Sequence, residues 1–136
     1  MGIILADIEL ANARQDDLLP ITVNALVDGG AVHLCIPQHV ANQLRLPVLD
    51  RREVTVANGK SEMVDYVGPI KVRFANRQCL VGALVLGDQA LLGAIPMEDM
   101  DLVISPSRQT VTVNPSNPNM AMSLAMGARY QAMKAD

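Results

Sequence analysis

The stretch LLPITVNALVDGGAVHLCIP, Leu18–Pro37, decides how the rest of the chain is read. A β-rich apolar run from Leu18 to Val27 stops abruptly at Asp28-Gly29-Gly30, and a second apolar run, Ala31–Ile36, leads on to Pro37. A strand that ends in Asp-Gly-Gly must turn tightly, because adjacent glycines permit positive φ and close backbone approach. The turn leaves a carboxylate in a loop between two strands. Taken alone, Asp-Gly-Gly is a common motif and reads as a plain structural turn; its neighbours give it further meaning.

Downstream, Pro37 opens QHVANQLRL, where Pro at a first helical turn and Val40 and Leu44 on one face predict a short helix. The segment VTVANGKSEMV, Val54–Val64, reads as a β-hairpin. Its Asn58-Gly59 is the favoured pair for a two-residue type I′ turn. Gly68–Phe74 and Cys79–Leu86 form a second strand pair around Ala75-Asn76-Arg77. Leu91-Leu92-Gly93 follows, and Pro96–Asp101 supplies one or two helical turns. Leu102–Ile104 and Thr110–Val113 flank Ser105–Arg108 as a closing hairpin. Upstream, Ile3–Leu10 alternates loosely before a polar turn. The total of about eight short strands and two short helices predicts a mostly-β domain of closed, barrel-like form. The domain spans residues 1–115, and residues 116–136 form a Pro, Asn, Met and Ala-rich tail with a weak helical tendency.

Composition agrees with a small β domain and excludes other classes. The chain has 136 residues, enough for one domain, and 50% are apolar. Val, Leu, Ile, Ala and Met dominate, with one Phe, two Tyr and no Trp. Net charge is −3 and the 11 basic residues are scattered. Nucleic-acid binding needs a basic patch or aromatic stacking platforms, and neither is present. The N-terminal MGIILADIEL has no basic leader, and Asp7 and Glu9 break its apolar run, so it reads as neither signal peptide nor membrane span. Cys35 and Cys79 lie outside any CxxC, which favours free thiols and a cytoplasmic protein.

The order of these features resembles the retropepsin-like aspartic proteases, and is most similar to their bacterial and archaeal single-domain members. That family carries an apolar strand, Asp-Thr/Ser-Gly-Ala and a strand ending near Ile-Pro. A flap follows, and then two apolar residues with a Gly before a short helix. Here Ala25–Ala31 with Ile36-Pro37, the Asn58-Gly59 hairpin, Leu91-Leu92-Gly93 and Pro96–Asp101 fill those places, and Asn114-Pro115 follows the last strand. The resemblance implies a single-domain closed β-barrel of the acid-protease type with one or two short helices, active as a homodimer. It implies Asp28 as the catalytic carboxylate and Gly29, Gly30 and Ala31 as the active-site loop. The flap would be Val56, Ala57, Asn58, Gly59, Lys60 and Ser61, with Leu91, Leu92 and Gly93 supporting the site. It implies a peptide or protein substrate and neither metal nor organic cofactor.

The chemistry has its own logic. Two carboxylates sharing one proton can hydrolyse a peptide bond: one deprotonates water while the other protonates the carbonyl oxygen. Like charges a few ångströms apart cannot both ionise cheaply, so the pair retains a proton. The sequence holds one Asp-Gly-Gly-Ala loop, so a two-fold axis must supply the second Asp28. Two hairpins could then close over an extended peptide.

One departure from the family bears on activity. Gly29 stands where the resemblance expects Thr or Ser, whose hydroxyl would hydrogen-bond across the dimer axis. Its loss leaves the aspartates less firmly held. The competing readings are therefore a catalytically weakened dimer that binds peptides, and a barrel of unrelated fold whose Asp-Gly-Gly is structural. A Cys35 nucleophile with His33 as base has weaker support, since an apolar strand gives a thiolate no activation. His33 reads as a strand residue beside the site and His39 as an exposed helix residue. No converging set of four zinc ligands is visible. Glu98, Asp99 and Asp101 read as a solvated face, and the tail methionines as packing or dimer contacts.

Overall fold

The computed structural model describes residues 3–125. Nine strands and two helices follow one another along these residues. They are β1 (Leu5–Asn12), β2 (Ile21–Val27), β3 (Leu34–Ile36), α1 (Gln38–Gln43), β4 (Val48–Thr55) and β5 (Ser61–Phe74). After these come β6 (Arg77–Val85), β7 (Leu91–Leu92), α2 (Ala94–Asp99), β8 (Leu102–Ser105) and β9 (Thr110–Val113). The main sheet runs β1-β2-β7-β3-β6-β5-β4, and β1 also pairs with β5, which closes six of its strands into a barrel. Closure leaves those strands without a free edge. β4 stays outside the ring and pairs with β5 alone; β8 and β9 form a separate hairpin.

Alternation along β1 explains why this segment is a barrel strand. Ala6, Ile8, Leu10 and Asn12 face inward, while Leu5 and Asp7 face out. Ile8, Leu10, Leu34, Ile36, Ile70 and Leu92 are among the side chains with essentially no exposure, and they fill the barrel. Buried Asn12 is satisfied, with its Nδ2 donating to Leu44 O at 2.9 Å and its Oδ1 accepting from Arg14 N at 2.9 Å. It thereby ties β1 to the end of α1. The predicted helix face is also observed, with Val40 and Leu44 buried, although Pro37 is the extended N-cap and lies outside the first turn.

β5 serves two structures at once. Ser61–Val67 pairs with β4 as the arm of a projecting hairpin, and Ile70–Phe74 lies in the barrel against β1 and β6. A register shift between Val67 and Ile70 separates the two parts. Such an irregularity bends a strand and lets one run change course.

The tip of the projecting hairpin differs from the predicted two-residue turn. Val56 N donates to Lys60 O at 2.9 Å and Gly59 N to Val56 O at 2.9 Å, and Gly59 has φ 85. Asn58 is not among the residues of positive φ. The loop therefore has three residues, a turn over Ala57-Asn58 followed by a left-handed glycine. Asn58 Oδ1 accepts from Lys60 N at 2.9 Å, so its side chain closes the turn.

Past β9, Asn114–Met122 is tied to the domain. Asp101 accepts from Asn114 Nδ2 at 3.1 Å, Asn117 Nδ2 at 2.8 Å and Met122 N at 3.0 Å. These bonds hold its carboxyl below the usual aspartate range. Asp101 thus departs from the solvated face expected of it, while Glu98 and Asp99 remain exposed. Buried Arg77 donates to Asn117 O, and Asn76 Nδ2 donates to Pro118 O at 2.9 Å. Residues 116–125 form turns and irregular chain, with Met120 and Met122 exposed. The remainder of the expected helical tail, 126–136, lies outside the described residues.

Candidate active site

The Asp28 loop is held on all sides by backbone bonds. Leu26 N donates to Ala90 O at 2.8 Å, Val27 N to Ile4 O at 2.9 Å and Asp28 N to Leu92 O at 3.1 Å. Asp28 Oδ1 accepts from Gly30 N at 2.9 Å, and Asp28 O accepts from Ala31 N at 3.1 Å. The carboxylate thus organises its own turn, as a short acidic side chain does when it bonds the backbone two residues on. One oxygen is engaged in this way.

β7 lies between the two strands that flank the loop, parallel to β2 and antiparallel to β3. Its end feeds Gly93, beneath the loop. A Cβ at Gly93 would lie 2.3 Å from His33 O and 2.7 Å from Ala31 O, both backbone atoms. Only glycine fits there. With the contact made, Ala94 N donates to Ala31 O and Ile95 N to Val32 O, each at 2.8 Å. Leu92 is fully buried behind the loop and Leu91 faces the cavity in front. The expected support residues therefore meet the expected loop.

Two hollows flank Asp28. The first is a groove of about 630 Å³ that also involves Gly30, Ala31, Leu84, Leu86 and Leu91, with Thr55, Val56 and Ala57 from the hairpin. The second, of about 650 Å³, lies beside Gly29 and Gly30 and is walled by Ile3, Ile4, Val27, Ile104 and Pro106. Asp28 is half-buried and borders both. Of the expected flap residues, Val56 and Ala57 reach the groove. Asn58, Gly59, Lys60 and Ser61 are exposed at the hairpin tip and are not part of its wall.

His33 lies in the loop just before β3, not in the strand expected for it. It lines the groove, and its ring meets Tyr66 edge-on, with centroids 5.7 Å apart at 67°. The Arg52 guanidinium lies 4.2 Å above the Tyr66 ring. Burial first, and then the Arg52 charge, lower the His33 pKa from its usual 6.5. The sequence carried no sign of this trio, because Arg52 and Tyr66 are brought together by the β4–β5 register and His33 arrives from a different strand connection. Leu84 and Leu86 likewise carry no mark of the site in the sequence: the pairing of β6 with β3 places Leu84, and the bond from Leu86 N to Ile36 O at 3.0 Å places Leu86 just past the strand.

Cys35 is buried at 4% exposure, and its Sγ lies 3.9 Å from the His33 carbonyl oxygen. Burial and the Asp28 charge both raise its pKa. A thiol held protonated in this way is a poor nucleophile, and the Cys35–His33 reading fails on that ground. His39 is exposed on α1, as expected. Among the described residues, no three His, Cys, Asp or Glu side chains gather where they could hold a metal. Nor is any helix among them long and apolar enough to cross a membrane.

No protein-family model matches this sequence, and no curated protein matches it. Solved structures do. The retroviral protease-like domain of Ddi1 from Leishmania major superposes with a TM-score of 0.53 at 15% identity, over 84% of this chain and 91% of that one. A retropepsin-like aspartic protease from Rickettsia conorii gives 0.46 at 19% identity over 76% and 88%. The simian foamy virus (mac) protease gives 0.45 at 15% identity over 68% and 91%. At these identities the likeness is one of architecture, carried by the Leishmania domain: the chain has the mostly-β, closed-barrel fold of the retropepsin-like aspartic proteases.

Proposed function

We propose that two copies of this chain form an aspartic endopeptidase in which the paired Asp28 carboxylates hydrolyse a peptide bond. The observation that carries the reading is the position of Asp28 on the border of two hollows. One is an aliphatic groove beneath a hairpin, suited to an extended peptide. The other is an apolar face beside the loop, suited to a second copy placed by a two-fold axis. Across that axis the Asp28 side chains meet, share a proton and activate water between them. Ile3, Ile4, Val27, Ile104 and Pro106 would lose their exposed surface to the partner. The hairpins would close over the peptide and exclude water. A cytoplasmic setting, kinship with the bacterial and archaeal single-domain members, and independence of cofactors complete the proposal. The free thiols Cys35 and Cys79 support the setting.

A second reading is favoured by Gly29, which is exposed and offers no hydroxyl to the partner loop. In it the dimer binds peptides and cleaves them weakly or not at all. Cleavage of a mixed peptide library from acidic to neutral pH, alongside sedimentation of the protein, tests both. Cleavage that disappears in Asp28→Asn, with the dimer retained, supports the endopeptidase. A dimer that retains peptides but leaves every one intact favours the binding module. A monomer at all concentrations refutes both.

A further inference from the structure

One polar side chain of the groove wall takes no part in the two-carboxylate chemistry. His33 lines the groove with Asp28, and the remaining wall is almost wholly aliphatic. Its ring is fixed from behind. Tyr66 meets it edge-on, and the Tyr66 ring itself sits over Gly82, where a Cβ would lie 2.2 Å from Cζ. Arg52 covers the Tyr66 ring and pairs with Asp50 at 3.2 Å. An imidazole that lines the groove and packs against Tyr66 offers hydrogen-bonding nitrogens to whatever fills that groove.

We infer that His33 is a specificity-determining residue whose imidazole hydrogen-bonds a polar side chain of the bound peptide, and prefers a carboxylate to the matching amide once it is protonated. The inference rests on the peptide-groove reading above. A neutral imidazole has one donor and one acceptor and suits an amide; the imidazolium has two donors and suits a carboxylate. The groups facing it are Asp28 from the loop, Cys35 from β3, Arg52 from β4 and Tyr66 from β5. Burial and Arg52 disfavour its charged form while a bound carboxylate favours it, so the preference for Glu develops as pH falls through the region of the ordinary imidazole value of 6.5. A peptide Glu stays ionised down to about pH 4.3, which leaves a usable window between the two.

The test uses the full chain carrying Asp28→Asn, which removes that carboxylate and the proposed cleavage. The probe is a displayed library of extended peptides with Glu or Gln fixed at each position in turn, retained at pH 5 and at pH 7.5. At one position the Glu-to-Gln ratio rises about fivefold at the lower pH, the gain expected of a charge-assisted hydrogen bond over a neutral one. Adding His33→Gln abolishes that rise. Adding Arg52→Gln instead moves its midpoint to higher pH, by removing a charge that opposes the imidazolium. Peptides retained with a pH-independent ratio overturn the assignment of His33 and leave the groove reading intact. A folded dimer that retains no peptide at either pH overturns both.

Discussion

The sharpest prediction concerns two glycines that flank the same loop. Gly93 has φ −91 and ψ −172, an ordinary extended conformation open to any residue. Any cost of Gly93→Ala is therefore steric. The new Cβ would stand 2.3 Å from His33 O and 2.7 Å from Ala31 O, and neither carbonyl can move without the loop. Relieving the clash means separating α2 from the loop and weakening the bonds Ala94 N to Ala31 O and Ile95 N to Val32 O. Overpacking of this kind costs about 1–3 kcal/mol, and two weakened backbone bonds add about 1 kcal/mol between them. The sum of about 2–4 kcal/mol is a large share of the roughly 5–15 kcal/mol that stabilises a domain. It corresponds to a fall in Tm of roughly 8–15 °C for a chain of this size. Gly29→Ala is the matched control. Its Cβ meets nothing within 4 Å, and its Tm should stay within about 2 °C of the parent. Differential scanning calorimetry on the three proteins decides the matter. A Gly93→Ala protein that melts with the parent would refute the claim that close backbone approach at Gly93 holds the loop.

Other outcomes follow from the same geometry. Gly29→Thr meets open space within the subunit, so under the proposed pairing of two copies it should strengthen self-association and raise any peptide cleavage without loss of stability; no change in either would count against a role for a loop hydroxyl. Burial and the Asp99 charge push the Cys79 thiol up to about 12 from its ordinary 9.0. A thiol with a raised folded pKa stabilises fully below the unfolded value and loses that contribution as pH rises through the folded one. Denaturant unfolding should therefore show stability falling between pH 9 and about 12, and Cys79→Ala should flatten that slope. An identical slope in the variant would place its origin elsewhere.

Much of the barrel was legible from local chemistry. The alternation of β1, the helix face at Val40 and Leu44, and the hairpins around Ala75-Asn76 and Ser105–Arg108 all depend on neighbours in sequence. Asp28-Gly29-Gly30 announced a tight turn for the same reason. Asn58-Gly59 does mark a hairpin, but its turn is longer than the two residues this pair favours. The paired residues Val56 and Lys60 leave three residues to cross, and Asn58 keeps a negative φ while Gly59 alone turns left-handed.

What the sequence determined was a set of local propensities and one carboxylate in the turn that ends a strand. What tertiary structure decided was which distant residues share its surroundings. The insertion of β7 between β2 and β3 puts Gly93 against the loop, and the β5–β6 pairing with its register shift sets Tyr66 over Gly82. The joining of Tyr66 and Arg52 follows from the β4–β5 register, and His33 meets them from the loop before β3. Asp101, an ordinary surface acid by composition, becomes the anchor of the segment after β9 only because Asn114 and Asn117 fold back onto it. Periodicity fixes which side of a strand a residue occupies, whereas pairing between strands far apart in the chain fixes what that side meets.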